Sequence, residues 1–192
     1  MKKSAFSFLC LLATLFLFAQ DVPSPDWQVR TALLAAPEEF RMEASVLGYD
    51  SDGKLITLRE GTNKMICLAD DPTKEGFSAA SYFSDLEPFM TRGRQLKMEG
   101  KSFKEIFDTR EEEVKSGKLK MPDKSTLIVM TGEINPETKE IENQYTRYVF
   151  YIPFATPEST GLPAKPLGAG HPWIMDPGTH RAHIMLTPER DN

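Results

Sequence analysis

From residue 40 to residue 46 the chain alternates, with Phe40, Met42, Ala44 and Val46 apolar and Arg41, Glu43 and Ser45 polar or charged. A period of two is the pattern of a half-buried strand, because successive side chains leave a strand on opposite faces. Turn chemistry follows at Tyr49-Asp50-Ser51-Asp52-Gly53, and residues 55–59 read as the returning strand. A second turn, Gly61-Thr62-Asn63, leads into a third strand over 64–69, so this part is expected to be an antiparallel meander.

The period then changes to that of a helix. Ser84-Asp85-Leu86-Glu87 and Ser102-Phe103-Lys104-Glu105 both have the form of a capping box, in which a serine and a glutamate three residues on satisfy each other's free backbone donors. After the first, Leu86, Phe89, Met90, Gly93 and Leu96 share one helical face, and Gly100 closes it. After the second, Phe103, Ile106, Phe107, Arg110 and Val114 do the same, and Gly117 is the stop. The mixed charges of 111–120 read as a solvated helix end.

Two long strands are predicted over 125–133 and 141–152, joined at Asn135-Pro136-Glu137-Thr138, and a last one over 182–186. Residues 148–152 are apolar on both faces, which puts their strand in the middle of the sheet with helices on one side. Upstream, Ser24-Pro25 reads as an N-cap and first helical residue; residues 26–36 then form either a short helix ended by Pro37 or a loosely packed arm. The expected fold class is α+β: a single domain over 20–192, an antiparallel sheet of about six strands, two amphipathic helices packed on one face, and a long Pro/Gly-rich loop.

That loop interrupts the periodicity. Between residues 155 and 179 stand Pro157, Pro163, Pro166, Pro172 and Pro177 together with Gly161, Gly168, Gly170 and Gly178, and no helix or strand fits there. A structureless stretch of this length in a compact domain is usually functional or disordered. Trp173, Ile174 and Met175 within it argue for a loop that packs down onto the fold.

Composition adds a location. Lys2 and Lys3 precede an uncharged apolar run over 5–19, shorter than the ~20 residues of a membrane-spanning helix, and the chain turns polar at Gln20 and Asp21. Residues 1–19 are therefore expected to be a cleavable signal peptide, and the rest an exported protein, periplasmic or secreted, with no stable membrane insertion. Without Lys2 and Lys3, 21 basic residues face 28 acidic ones, a net charge of −7 that disfavours nucleic acid as a partner. Only Cys67 survives processing, so no intramolecular disulfide forms, and its strand context reads as a buried thiol.

The candidate chemistry gathers in the loop. All three histidines, His171, His180 and His183, lie in or just after it, with Asp176 among them, which is raw material for a transition-metal site. The other reading is that these histidines brace the loop by hydrogen bonds. No cofactor is required by the sequence. There is no Gly-x-Ser-x-Gly elbow, phosphate-binding glycine loop or Cys-x-x-Cys to anchor a hydrolase, nucleotide or thioredoxin reading. Arg92 and Arg94 flank Gly93, which would admit a close neighbour such as the loop; they either bind an anionic ligand or pair with surface carboxylates. Two functional expectations follow. One is a binding protein that engages a small ligand or an envelope partner through residues 155–183, with Trp173 as aromatic anchor. The alternative is a metal-dependent enzyme with His171, Asp176, His180 and His183 around the ion.

Overall fold

The computed structural model of the chain describes residues 22–189; the expected signal peptide lies outside the described residues. Eight strands form one mixed sheet: β1 (Ser45–Tyr49), β2 (Leu55–Arg59), β3 (Met65–Leu68), β4 (Phe77–Phe83), β5 (Ser125–Ile134), β6 (Ile141–Tyr151), β7 (Trp173–Met175) and β8 (His183–Leu186). Among the described residues five α-helices accompany them: α1 (Pro25–Ala32), α2 (Glu38–Arg41), α3 (Glu87–Met98), α4 (Phe103–Lys115) and α5 (Pro157–Thr160). Short 3₁₀ turns extend α1 over Leu33–Ala35 and precede α3 over Ser84–Leu86. The strand order is β2-β1-β3-β4-β5-β6-β8-β7. No helix is long and apolar enough to cross a membrane among the described residues.

The fold is α+β as expected, but two strands more and one strand direction depart from the prediction. β1 and β2 form the predicted hairpin, whose turn is closed by the Asp50 carboxylate accepting from the Asp52 and Lys54 N–H groups. β3 then pairs with β1 in parallel instead of with β2, so the meander is broken. β4 is a strand that the pattern did not announce, because Phe77–Phe83 is diluted by small Ala and Ser residues. The alternation from residue 40 is also interrupted: Glu38–Arg41 is one helical turn, and the strand starts only at Ser45. Phe40 still faces inward, edge-on to Phe83 at 5.6 Å.

Register divides the core between the two faces of the sheet. Cys67 lies opposite Ser81 and Ala79 opposite Met130, and this face, with Val46, Met65 and Phe77, packs beneath α1 and its 3₁₀ extension. Ser81 is buried and donates to the Ala35 carbonyl. One residue out of step, Ile66, Tyr82, Leu127 and Val149 line up across β3 to β6 on the other face, beneath α3 and α4. The two predicted helices thus share a face, while α1 covers the opposite one. Strand β6 is interior, between β5 and β8; Val149 and Tyr151 are buried on the helix side, whereas Phe150 is 37% exposed on the other.

Of the two predicted capping boxes, the second forms: Ser102 Oγ accepts from the Glu105 N–H while the Glu105 carboxylate accepts from the Ser102 N–H. The first does not, because Ser84–Leu86 turns as 3₁₀ and α3 starts without a side-chain cap. Leu86, Phe89 and Leu96 are buried as the helical face predicted, but Phe103 is 71% exposed, with the Arg181 guanidinium over its ring at 5.3 Å.

Candidate functional site

The Pro/Gly-rich segment is ordered by its own short elements and by its ends. Thr156 and Ser159 cap α5 reciprocally, and Gly161, in the left-handed region, ends it. Ile174 donates to Pro163 O at 3.0 Å, and Gly170 to Thr187 O at 2.7 Å, so the stretch between is held at both feet. Residues 173–175 are not loop but the edge strand β7, antiparallel to β8 with Trp173 opposite Met185. Trp173 is half-buried, packed toward the cluster of Tyr82, Phe89, Val149 and Met185. Every residue over 164–172 is exposed, and Leu167 displays 72% of its surface at that crest.

Under the loop, the return segment into β8 carries the histidines into the protein. His180 is 0% exposed, its ring edge-on to Phe107 at 4.9 Å and to Phe89 at 5.6 Å. Its backbone N–H donates to Glu111 Oε2 at 2.8 Å, and its ring Nδ1–H donates to the same oxygen. Glu111 also holds Lys115 Nζ at 2.5 Å through its other oxygen. Burial pushes the Glu111 carboxyl up, but Lys115 and the His180 donors outweigh it and keep it below its ordinary range. An ionised acceptor at Nδ1 fixes the proton there, leaving Nε2 as the lone-pair nitrogen of a neutral ring.

His183 is buried too, its ring 5.4 Å from Tyr151, its cross-strand partner, and its Nδ1–H donates to Arg181 O at 2.7 Å. Burial lowers the pKa of both histidines; for His180 the Glu111 carboxylate opposes this while Arg110 and Arg181 add to it, and for His183 the Arg181 charge adds to it. Arg110 lies over the Phe89 ring at 4.0 Å and donates to Phe89 O at 3.3 Å; burial pulls its guanidinium down to about 10. Arg181 Nε stands 3.6 Å from Asp176 Oδ2, an ion pair too long for a hydrogen bond. His180 Nε2, Arg110 Nε and Asp176 Oδ2 are the buried side-chain polar atoms left without a hydrogen-bond partner among the described residues. Arg110 and Asp176 act on Tyr151, and His180 faces Arg110 and Arg181, so all three belong to one cluster.

The residues singled out from the sequence are thereby divided. His180, His183 and Asp176 come together beneath the loop, but His180 is engaged by Glu111, and His183 and Asp176 by the backbone and side chain of Arg181, and His171 stays exposed at the crest with Nδ1 3.0 Å from Ala169 O. Among the described residues, no three His, Cys, Asp or Glu side chains gather as a metal-ligand set. Arg92 makes a two-pronged pair with Glu113 at 2.8 and 2.9 Å, and Arg94 binds Glu87 at 2.5 Å and the Tyr82 hydroxyl at 3.2 Å, so both arginines are already paired within the fold. The close neighbour of Gly93 is the Arg110 guanidinium of α4, not the loop: a Cβ there would meet Nη1 at 2.9 Å.

Sequence reasoning missed Glu111, Arg110 and Tyr151 as parts of the site. Glu111 and Glu113 sit in the stretch expected to be a solvated helix end, and nothing in a mixed-charge run marks which carboxylates turn inward. No protein-family model, no curated protein and no solved structure matches this chain.

Proposed function

We propose that the chain is an exported, single-domain binding protein that engages an envelope partner or a small ligand through residues 155–183, with the crest over 164–172 as the contact surface. The observation that carries this reading is a fully exposed crest, bearing Leu167, on a base clamped by backbone bonds and by the His180–Glu111 contact. A loop fixed before contact loses little conformational freedom on binding, which favours recognition over a purely structural role. Trp173 takes part from below: half-buried against the core, it steadies the crest instead of projecting from it. The metal-dependent alternative finds no support in a ligand set of three among the described residues.

The test replaces Leu167 with a photoreactive residue, and in a second protein Lys54, which lies in the β1–β2 turn on the other edge of the sheet. A discrete adduct at 167 that is absent at 54 and weakened by Trp173→Ala supports the reading. Its mass separates a small ligand from a protein partner. Equal labelling at both positions, or none at 167, removes it. Export is checked on the same preparation, whose N-terminus outside the cytoplasm is expected near Gln20.

A further inference from the structure

We propose that residues 176–183 form an acid-released latch on the loop, closed while His180 and His183 are neutral and undocked from α4 and β6 when acid protonates them. This rests on the binding reading above only for its consequence, because an undocked latch frees the base of the crest.

The geometry supplies the latch. Over these few residues, Gly178 N–H donates to Ala155 O at 2.8 Å, Phe154 N–H to Thr179 O at 2.7 Å, and Ile152 N–H to Ala182 O at 2.9 Å, tying the segment to the end of β6. On the other side, α4 holds it through Glu111, which accepts from both His180 donors, through the Phe107 ring against the His180 ring, and through Phe103 beneath Arg181. Two buried histidines therefore sit where both sets of contacts must close.

The charges decide the direction. Facing His180 are Glu111 and Arg110 from α4, Arg181 from its own segment, and Lys115 across the Glu111 carboxylate; Phe89 from α3 and Phe107 from α4 complete its walls without charge. Facing His183 are Tyr151 from β6, Arg181, and Asp176 at the end of β7. With neutral rings, the cations Arg110, Arg181 and Lys115 stand against the anions Glu111 and Asp176. Protonation of both rings adds two buried positive charges beside Arg110 and Arg181; the Glu111 carboxylate offsets part of the charge on His180, but burial and the two arginines outweigh it.

Both histidines have a pKa below the ordinary value of 6.5 in the closed state. The released segment regains the ordinary value, so closure is fully favoured above about 6.5 and is lost as the pH falls below it. Between pH 7.5 and 5.5, linkage raises the open fraction by up to about tenfold for one histidine and about a hundredfold for both.

The experiment is amide hydrogen exchange on the full mature chain at pH 7.5 and 5.5, corrected for intrinsic rates, with no ligand required. Protection at Phe154, Gly178 and His180 should fall, by up to about a hundredfold, while β4 and β5 amides keep theirs, and His183→Gln should limit the fall to at most about tenfold. Unchanged protection at those amides, or a loss shared equally by β4 and β5, overturns the latch. If the variant does not fold, NMR titration of the two imidazoles in the unaltered protein decides: a midpoint at or above 6.5 for both overturns it. Failure of the Leu167 adduct leaves this result untouched, so the two readings fail separately.

Discussion

Replacing Glu111 with alanine isolates the contact that joins the loop to α4. The substitution leaves the His180 N–H, now bonded at 2.8 Å, and the His180 ring N–H without an acceptor in a residue that is 0% exposed. An unsatisfied buried donor costs about 1–3 kcal/mol. Water can relieve part of this, since the Glu111 side chain itself is 16% exposed, so about 1–1.5 kcal/mol applies to each donor and the total comes to about 2–3 kcal/mol. The Lys115 arm adds little, because its ammonium is mostly in solvent. Urea unfolding at pH 7.5 measures the loss; with a slope of about 2 kcal/mol per molar, the midpoint should drop by about 1–1.5 M. Lys115→Ala should stay within about 0.5 kcal/mol, and a double-mutant cycle of Glu111→Ala with His180→Ala should show a coupling above about 1 kcal/mol. A midpoint shift below about 0.3 M, or a coupling near zero, would refute the claim that this carboxylate fastens the loop.

Two further outcomes follow from positions away from the site. A Cβ at Gly61 would lie 2.3 Å from Ser45 N and 2.4 Å from Glu43 O, backbone atoms that cannot step aside, so Gly61→Ala should destabilise by about 3 kcal/mol or more in the same urea assay. Cys67 is fully buried, and burial pushes its thiol up to about 12; a disulfide reagent at pH 8 should label it only after denaturation, and labelling of the folded protein at the rate of a free thiol would contradict that burial.

Local periodicity and turn residues were enough for α3, α4, the turn and second strand of the β1–β2 hairpin and the long β5–β6 pair, because none of these depends on the rest of the chain. It was not enough for β4, whose small residues carry no periodic signal. That segment is a strand because β3 and β5 supply partners on both sides and the 3₁₀ turn after α1 accepts a hydrogen bond from Ser81. The parallel pairing of β1 with β3 was equally hidden, since strand order depends on how loops cross the sheet and not on which residues lie in the strands. Phe40 satisfied a strand period and a helical turn alike, and its contact with Phe83 serves either.

The candidate site divides along the same line. By itself the sequence determined that the loop over 155–183 is unusual and that the histidines gather at its end, because both are matters of composition along the chain. Tertiary structure decided what those histidines do. Glu111 lies 69 residues before His180, in a charged run indistinguishable from any solvated helix end, and only the packing of α4 against the returning segment turns it inward. The same packing places Arg110 over Phe89 and brings Tyr151 against His183. Burial and charge balance are properties of what surrounds a side chain, and the surroundings of His180 and His183 exist only once the sheet, α4 and the loop have closed on one another.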